Sequence, residues 1–171
     1  QKGANTHVAA IYGNFDDAQT GVKNIFADKE LEKTLADRGF LLSSANSINI
    51  GRLVPQIVYY VYAYCQLLHN GEIQKGETIN VTVPTGNFGN ILAAYYAKRM
   101  GLPLGRLICA SNRNNVLTDF IRTGEYNRNR DFYPTISPSL DILISSNLER
   151  FIFELSGQDD KLVRMLMEPL R

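Results

Sequence analysis

Residues 83–90, VPTGNFGN, join a β-branched run, INVT (79–82), to a helix-like run, ILAAYY (91–96). A helix start presents unpaired N–H groups and a partial positive charge. An anion seated there accepts several N–H bonds at once. Gly86 and Gly89 remove Cβ atoms that would block its approach, and they permit φ > 0. Asn87 tolerates the left-handed region and can cap, while Thr85 and Asn90 add side-chain donors. The chemistry that fits is retention of a phosphate or carboxylate on main-chain amides, without a lysine. No Gly-Lys-Ser/Thr comes after Gly89, so this is not a Walker A loop, and the dinucleotide fingerprint needs a third glycine. Taken alone, G-x-x-G at a strand–helix junction suits a plain tight turn as well as an anion site.

A second polar stretch, SANSINIGR (44–52), offers Ser47, Asn49 and Arg52 beside a predicted strand end. Helix capping plus a surface or interface ion pair would also account for them. Asp16 and Asp17 read as helix-start acids and Lys23 as a solvated helix residue. Asp141, Ser145, Ser146 and Asn147 could orient one side of a cleft, although a capping box from Ser146 to Glu149 explains that pair without any function. Tyr59, Tyr60, Tyr62 and Tyr64 read as packing.

These residues need elements to hold them. HVAAIY (7–12) and FLLSSA (40–45) read as strands, as do 78–83 and 106–110. Helical spacing covers 16–26, capped by Asn14 or Asp16, and a second short helix ends at Gly39. Residues 48–68 are helical and apolar almost all round, so cover on most sides is expected. Further helices are expected over 88–100, 116–122, 146–155 and 161–168, with 127–138 a loop. Alternating strands and helices predict an α/β fold: an open, mostly parallel twisted sheet flanked by helices. Ligands on such sheets sit at the carboxyl ends of strands. The polar junctions 13–17, 43–49 and 84–90 should therefore open on one edge.

The length, 171 residues, fits a single α/β domain over 1–171. A net charge of +1, without a basic block, implies no nucleic-acid partner and no membrane-surface partner. The apolar run 53–68 is shorter than a membrane span and reads as a core helix. Cys65 and Cys109 lie in apolar runs and read as two buried thiols in a reducing, cytoplasmic setting. His7 and His69 have no ligand pattern around them, so no metal is expected. The chain begins at Gln1 without methionine, which reads as a piece of something longer.

The wording of the loop goes further than its shape. PTGNFGN closely resembles the cofactor-phosphate loop of threonine synthases, pyridoxal 5'-phosphate enzymes of the tryptophan-synthase-β-like fold. GNFDDAQTGVK (13–23), SSANSINIGRLVPQIVYY (43–60) and TISPSLDILISSNLERFIFEL (135–155) resemble other stretches of the same family, in order. The resemblance implies that the cofactor's phosphate lies on Gly86, Asn87, Phe88, Gly89 and Asn90. Family members often carry Asp where this chain has Asn90. It also implies conversion of O-phospho-L-homoserine and water to L-threonine and phosphate. Ser47, Asn49 and Arg52 then become candidates for substrate binding.

Family enzymes hold the cofactor as a Schiff base on a lysine in a Ser/Ala-Phe-Lys-Asp setting. None of Lys2, Lys23, Lys29, Lys33, Lys75, Lys98 and Lys161 has that setting. The expected catalytic lysine and the pyridine-side residue thus lie outside this chain, a central fragment that is inactive alone. Surface normally covered by the missing parts would favour self-association. The competing readings are a non-catalytic α/β module binding a phosphorylated small molecule, and a structural fragment with an empty loop.

Overall fold

The structure is a computed structural model that describes residues 3–13 and 15–168. The chain divides into two compact units, residues 1–43 and 44–171. The first holds α1 (Phe15–Ala27) and α2 (Lys29–Ala36). Asp16 and Asp17 sit in the first turn of α1, as expected. The alternative cap, Asn14, lies outside the described residues. Asp28 caps α2 by accepting from the Leu31 N–H, and Gly39, at φ 78°, turns the chain after it.

The strands expected over 7–12 and 40–45 do not form. Val8, Ile11, Phe40 and Leu41 are exposed, and neither stretch joins a ladder. An apolar, β-branched run makes a strand only where a neighbour takes up its N–H and C=O groups.

The second unit is built around a β–α–β core. Strand β1 (Ile79–Pro84) pairs in parallel with β2 (Leu104–Ala110), and α5 (Gly89–Arg99) connects them. This is an open parallel sheet among helices, with two paired strands among the described residues rather than the four or more expected. Its register slips between Ile79 and Val81. There Asn80 Oδ1 accepts from the Arg106 N–H at 2.7 Å, over Gly105, whose Cβ would lie 2.6 Å from that oxygen.

Helix α5 is the core element. Ile91, Leu92, Ala93, Ala94 and Ala97 are buried on it, together with Leu53, Val83, Leu104, Val116, Leu117 and Leu148 from the surrounding elements. Beyond β2 come α6 (Val116–Thr123), a 3₁₀ turn (Pro138–Leu140), α7 (Leu148–Leu155) and α8 (Asp160–Met167).

The long apolar segment departs from expectation twice. It is α3 (Ile50–Leu53), a 3₁₀ turn (Val54–Gln56) and α4 (Ile57–His69), interrupted where Pro55 withholds an N–H. Helix α4 is not covered on most sides. It buries Tyr60 and Tyr64 while Val58, Tyr59 and Tyr62 remain about 60% exposed. One face packs towards α5 and the other meets no described element. For the same reason Cys65 is exposed rather than buried; Cys109 is half-buried, and both thiols are free.

Leu92 is fully buried in the middle of the core. Leu92→Ala should lower unfolding free energy by about 2–5 kcal/mol, read from urea denaturation.

Candidate functional site

Strand β1 delivers the chain to Pro84, and Thr85 anchors the loop that leads into α5. Its N–H donates to Ala110 O at 2.8 Å, and its hydroxyl donates to Val83 O at 2.7 Å. Thr85 is buried, so its side chain fixes the loop rather than offering a donor to a guest. Phe88, at φ 63° and ψ 0°, is the left-handed residue and the N-cap of α5. Residue preference alone assigns that conformation to Asn87 instead. A bulky residue at positive φ is strained and persists only where packing holds it. Here the Phe88 ring is buried, with its centroid 5.3 Å from that of Phe151.

Gly86 and Gly89 are needed for proximity, not for positive φ. A Cβ on Gly86 would lie 2.9 Å from Ile142 Cδ1 and 3.2 Å from Ser139 O. A Cβ on Gly89 would lie 2.6 Å from Ser47 Oγ. The two glycines let the 139–142 and 44–49 segments close on the loop from two sides.

Among the described residues, none accepts from the backbone N–H of Gly86, Asn87, Phe88, Gly89 or Asn90. These residues line a cavity of about 150 Å³ shared with Ser47 and Ser139. A left-handed residue leading into right-handed helical ones is the pattern that turns successive N–H groups towards one concave side. No charged side chain lines the cavity. Attraction for an anion there comes from the amides and from the start of α5.

The other expected residues fall in different places. Ser47 lines the cavity. Asn49 caps α3, its Oδ1 accepting from Gly51 N–H at 3.0 Å and its Nδ2 donating to Ser44 O. Arg52 is exposed, and its Nε donates to Ala45 O at 3.1 Å. The Asn90 side chain is engaged by α4 and the turn before it: its Oδ1 accepts from the Tyr60 hydroxyl, and its Nδ2 donates to Gln56 Oε1 at 3.4 Å. Burial pushes the Tyr60 hydroxyl up to about 12, so it remains a donor at neutral pH. Asn90 therefore presents its N–H to the cavity while its side chain joins α5 to α4.

Two residues that carry the site were not fully legible. The capping box does not form at Ser146: the N-cap of α7 is Asn147, and Ser146 Oγ donates to Asn87 Oδ1 at 3.2 Å. Asn147 is completely buried, with Nδ2 donating to Asn87 O and Ser47 Oγ. Arg150, which sequence reasoning passes over, donates to the carbonyls of Ser47 and Ile48. The available signal was spacing: an i, i+3 pair of polar residues shares one helix face.

Asp141 holds the wall containing Ser139. Its carboxylate accepts from Thr135 N–H and Oγ1 (2.7 Å each), Asn112 Nδ2 (2.6 Å) and Asn114 Nδ2 (3.2 Å). Burial opposes its ionisation, but these hydrogen bonds together outweigh that effect and hold the carboxyl below its ordinary value.

A lowered folded-state pKa gives a contribution that is complete above the unfolded value of ~3.9 and is lost as pH falls through the folded one. Thermal unfolding followed across acid pH should show that loss in the wild type, whereas Asp141→Asn should lack this component of the acid dependence. Gly89→Ala should destabilise by about 1–3 kcal/mol through overpacking against Ser47. Adding Ser47→Gly should recover part of the loss in urea denaturation.

No family model matches the chain. The human protein named threonine synthase-like 1 is 50% identical over 168 residues, covering 97% of this chain and 23% of that protein. Threonine synthase from Pseudomonas aeruginosa is 44% identical over 169 residues, covering 99% of this chain and 34% of its own length. A crystal structure of PLP-bound threonine synthase from Brucella melitensis matches with a TM-score of 0.76 at 46% identity, covering 93% of this chain and 32% of that one. The chain thus spans between 23% and 34% of the length of these curated relatives. In sequence and in fold the chain is similar to one stretch of the threonine synthases.

Proposed function

We propose that residues 86–90 hold the phosphate of pyridoxal 5'-phosphate, and that the chain serves as one α/β part of a longer, cytoplasmic threonine synthase. In this reading the whole enzyme is a carbon–oxygen lyase that makes L-threonine and phosphate from O-phospho-L-homoserine and water. One observation carries it: five successive main-chain N–H groups without an acceptor of their own, around a cavity of phosphate scale. Leaving such groups unpaired costs about 1–3 kcal/mol each where they are buried, and a bound anion offsets that cost. The walls are also set sterically, since a Cβ at Gly86 or Gly89 would push back the Ser139 or Ser47 segment that closes the cavity.

When bound, the cofactor supplies an electron sink that lets protons leave the substrate's carbons. This chain's residues bind and orient. The amides of Gly86, Asn87, Phe88, Gly89 and Asn90 take the phosphate oxygens, and the start of α5 favours their charge. Ser47, which lines the same cavity, would contact the substrate in this reading. Asn49 and Arg52 act more remotely, by shaping and capping the segment that carries Ser47. In this reading the lysine that tethers the cofactor is supplied from outside the loop, whose cavity no described lysine lines.

Titration of the chain with inorganic phosphate, and separately with pyridoxal 5'-phosphate, tests the reading by amide NMR. Saturable shifts centred on 86–90, with the two anions competing, are expected. Amide signals of 86–90 that ignore both anions would overturn it.

A further inference from the structure

We infer that Asn147, braced by Arg150, is a positioning residue that locks the Asn87–Phe88 peptide with its N–H facing the anion. The inference deepens the cradle reading above and rests on it for its binding readout.

Peptide geometry sets the starting point. A trans peptide is planar, and its C=O and N–H point in opposite directions. The Asn87 carbonyl and the Phe88 N–H belong to one such plane. The carbonyl accepts twice from Asn147, from its main-chain N–H at 3.1 Å and from Nδ2 at 3.0 Å. Two donors on one carbonyl fix that plane, and the Phe88 N–H must face away from Asn147. It has no acceptor within the described residues, and Phe88 lines the cavity.

The lock is needed because the conformation it holds is strained. Phe88 is left-handed at φ 63°, which a bulky side chain avoids. Rotation of the 87–88 peptide would relieve that strain and would turn a carbonyl oxygen towards the anion site. One donor would be lost and a repulsive dipole gained.

Asn147 can serve as the lock only if its own amide is held. Its Oδ1 accepts from Arg150, and its Nδ2 also donates to Ser47 Oγ at 2.8 Å. Arg150 in turn donates to Ser47 O at 2.8 Å and to Ile48 O. A forked guanidinium suits several acceptors at fixed angles. Here it grips the 44–49 segment and Asn147 together. The contact also seats Ser47 where Gly89 makes room for it. One turn of α7 thus sets the Ser47 segment and the 86–90 loop at a fixed separation.

Two readouts on the chain test this. The first is the Phe88 Cα and Cβ chemical shifts, which report left-handed backbone without any ligand. The second is the Kd for inorganic phosphate from amide shifts. Asn147→Ala should move the Phe88 shifts off left-handed values and weaken phosphate binding about tenfold, in line with loss of one charge-assisted donor. Arg150→Lys, which keeps the charge but loses the fork, should give a smaller change of the same sign in both.

Wild-type Phe88 shifts and wild-type affinity in Asn147→Ala would overturn the lock while leaving the cradle standing. If Asn147→Ala does not fold, Arg150→Lys decides by the same two readouts, unchanged values overturning the lock. If the wild type ignores phosphate, the cradle reading fails, and the Phe88 shifts of the variants still decide whether the peptide is locked.

Discussion

The close approach of three chain segments around Gly86 and Gly89 is the constraint on which the site depends. Segments 44–49 and 139–142 come so near the loop that a single methyl group at either glycine would collide with them. That crowding leaves room for main chain but not for side chains. A cavity floored by amides is the result. In the proposed reading, recognition there falls to the dipole of the backbone at the start of α5, since no lysine or arginine lines the cavity.

Such a floor works against stability in three ways. Its N–H groups have no partner among the described residues, Phe88 holds a left-handed backbone, and Asn147 is a fully buried polar side chain. Each is offset by specific neighbours. Phe88 packs on Phe151, and the Phe151 ring also meets Tyr95 edge-on at 5.2 Å. The Asn147 amide is paired at both its oxygen and its nitrogen. Asp141 keeps the opposite wall in place with four donors. The structure concentrates its polar order where the backbone is strained, and those neighbours hold the strained conformation in place.

What the sequence disclosed depended on how local each feature is. The β1–loop–α5 unit was legible, because β-branched residues, two glycines and an apolar helix stand in direct succession. The helix closed by Gly39 was legible for the same reason. The left-handed residue was not, since propensity favours Asn87 and only the contact with Phe151 selects Phe88. Arg150 was missed because its acceptors lie about 100 residues away. The segments 7–12 and 40–45 have the composition of strands, but composition cannot supply a hydrogen-bonded neighbour. The bare face of α4 has a similar cause: an all-round apolar pattern reports what could be buried, whereas the described elements cover only the side bearing Tyr60 and Tyr64.

Asn90 shows how the two ends of this reasoning meet. The resemblance read from the sequence implies Asp at this position in many family members, which would place a carboxylate one residue into α5. Here the amide accepts from the Tyr60 hydroxyl just as a carboxylate could, and it donates to Gln56 Oε1, which a carboxylate could not. The tie between α5 and α4 is therefore kept, and one negative charge is removed from beside the cavity. Tyr60, its hydroxyl pushed up to about 12 by burial, needs an acceptor there, and the amide oxygen supplies one. In the proposed reading, an amide at this position leaves no like charge beside a bound phosphate, in a cavity whose walls carry no charge of their own.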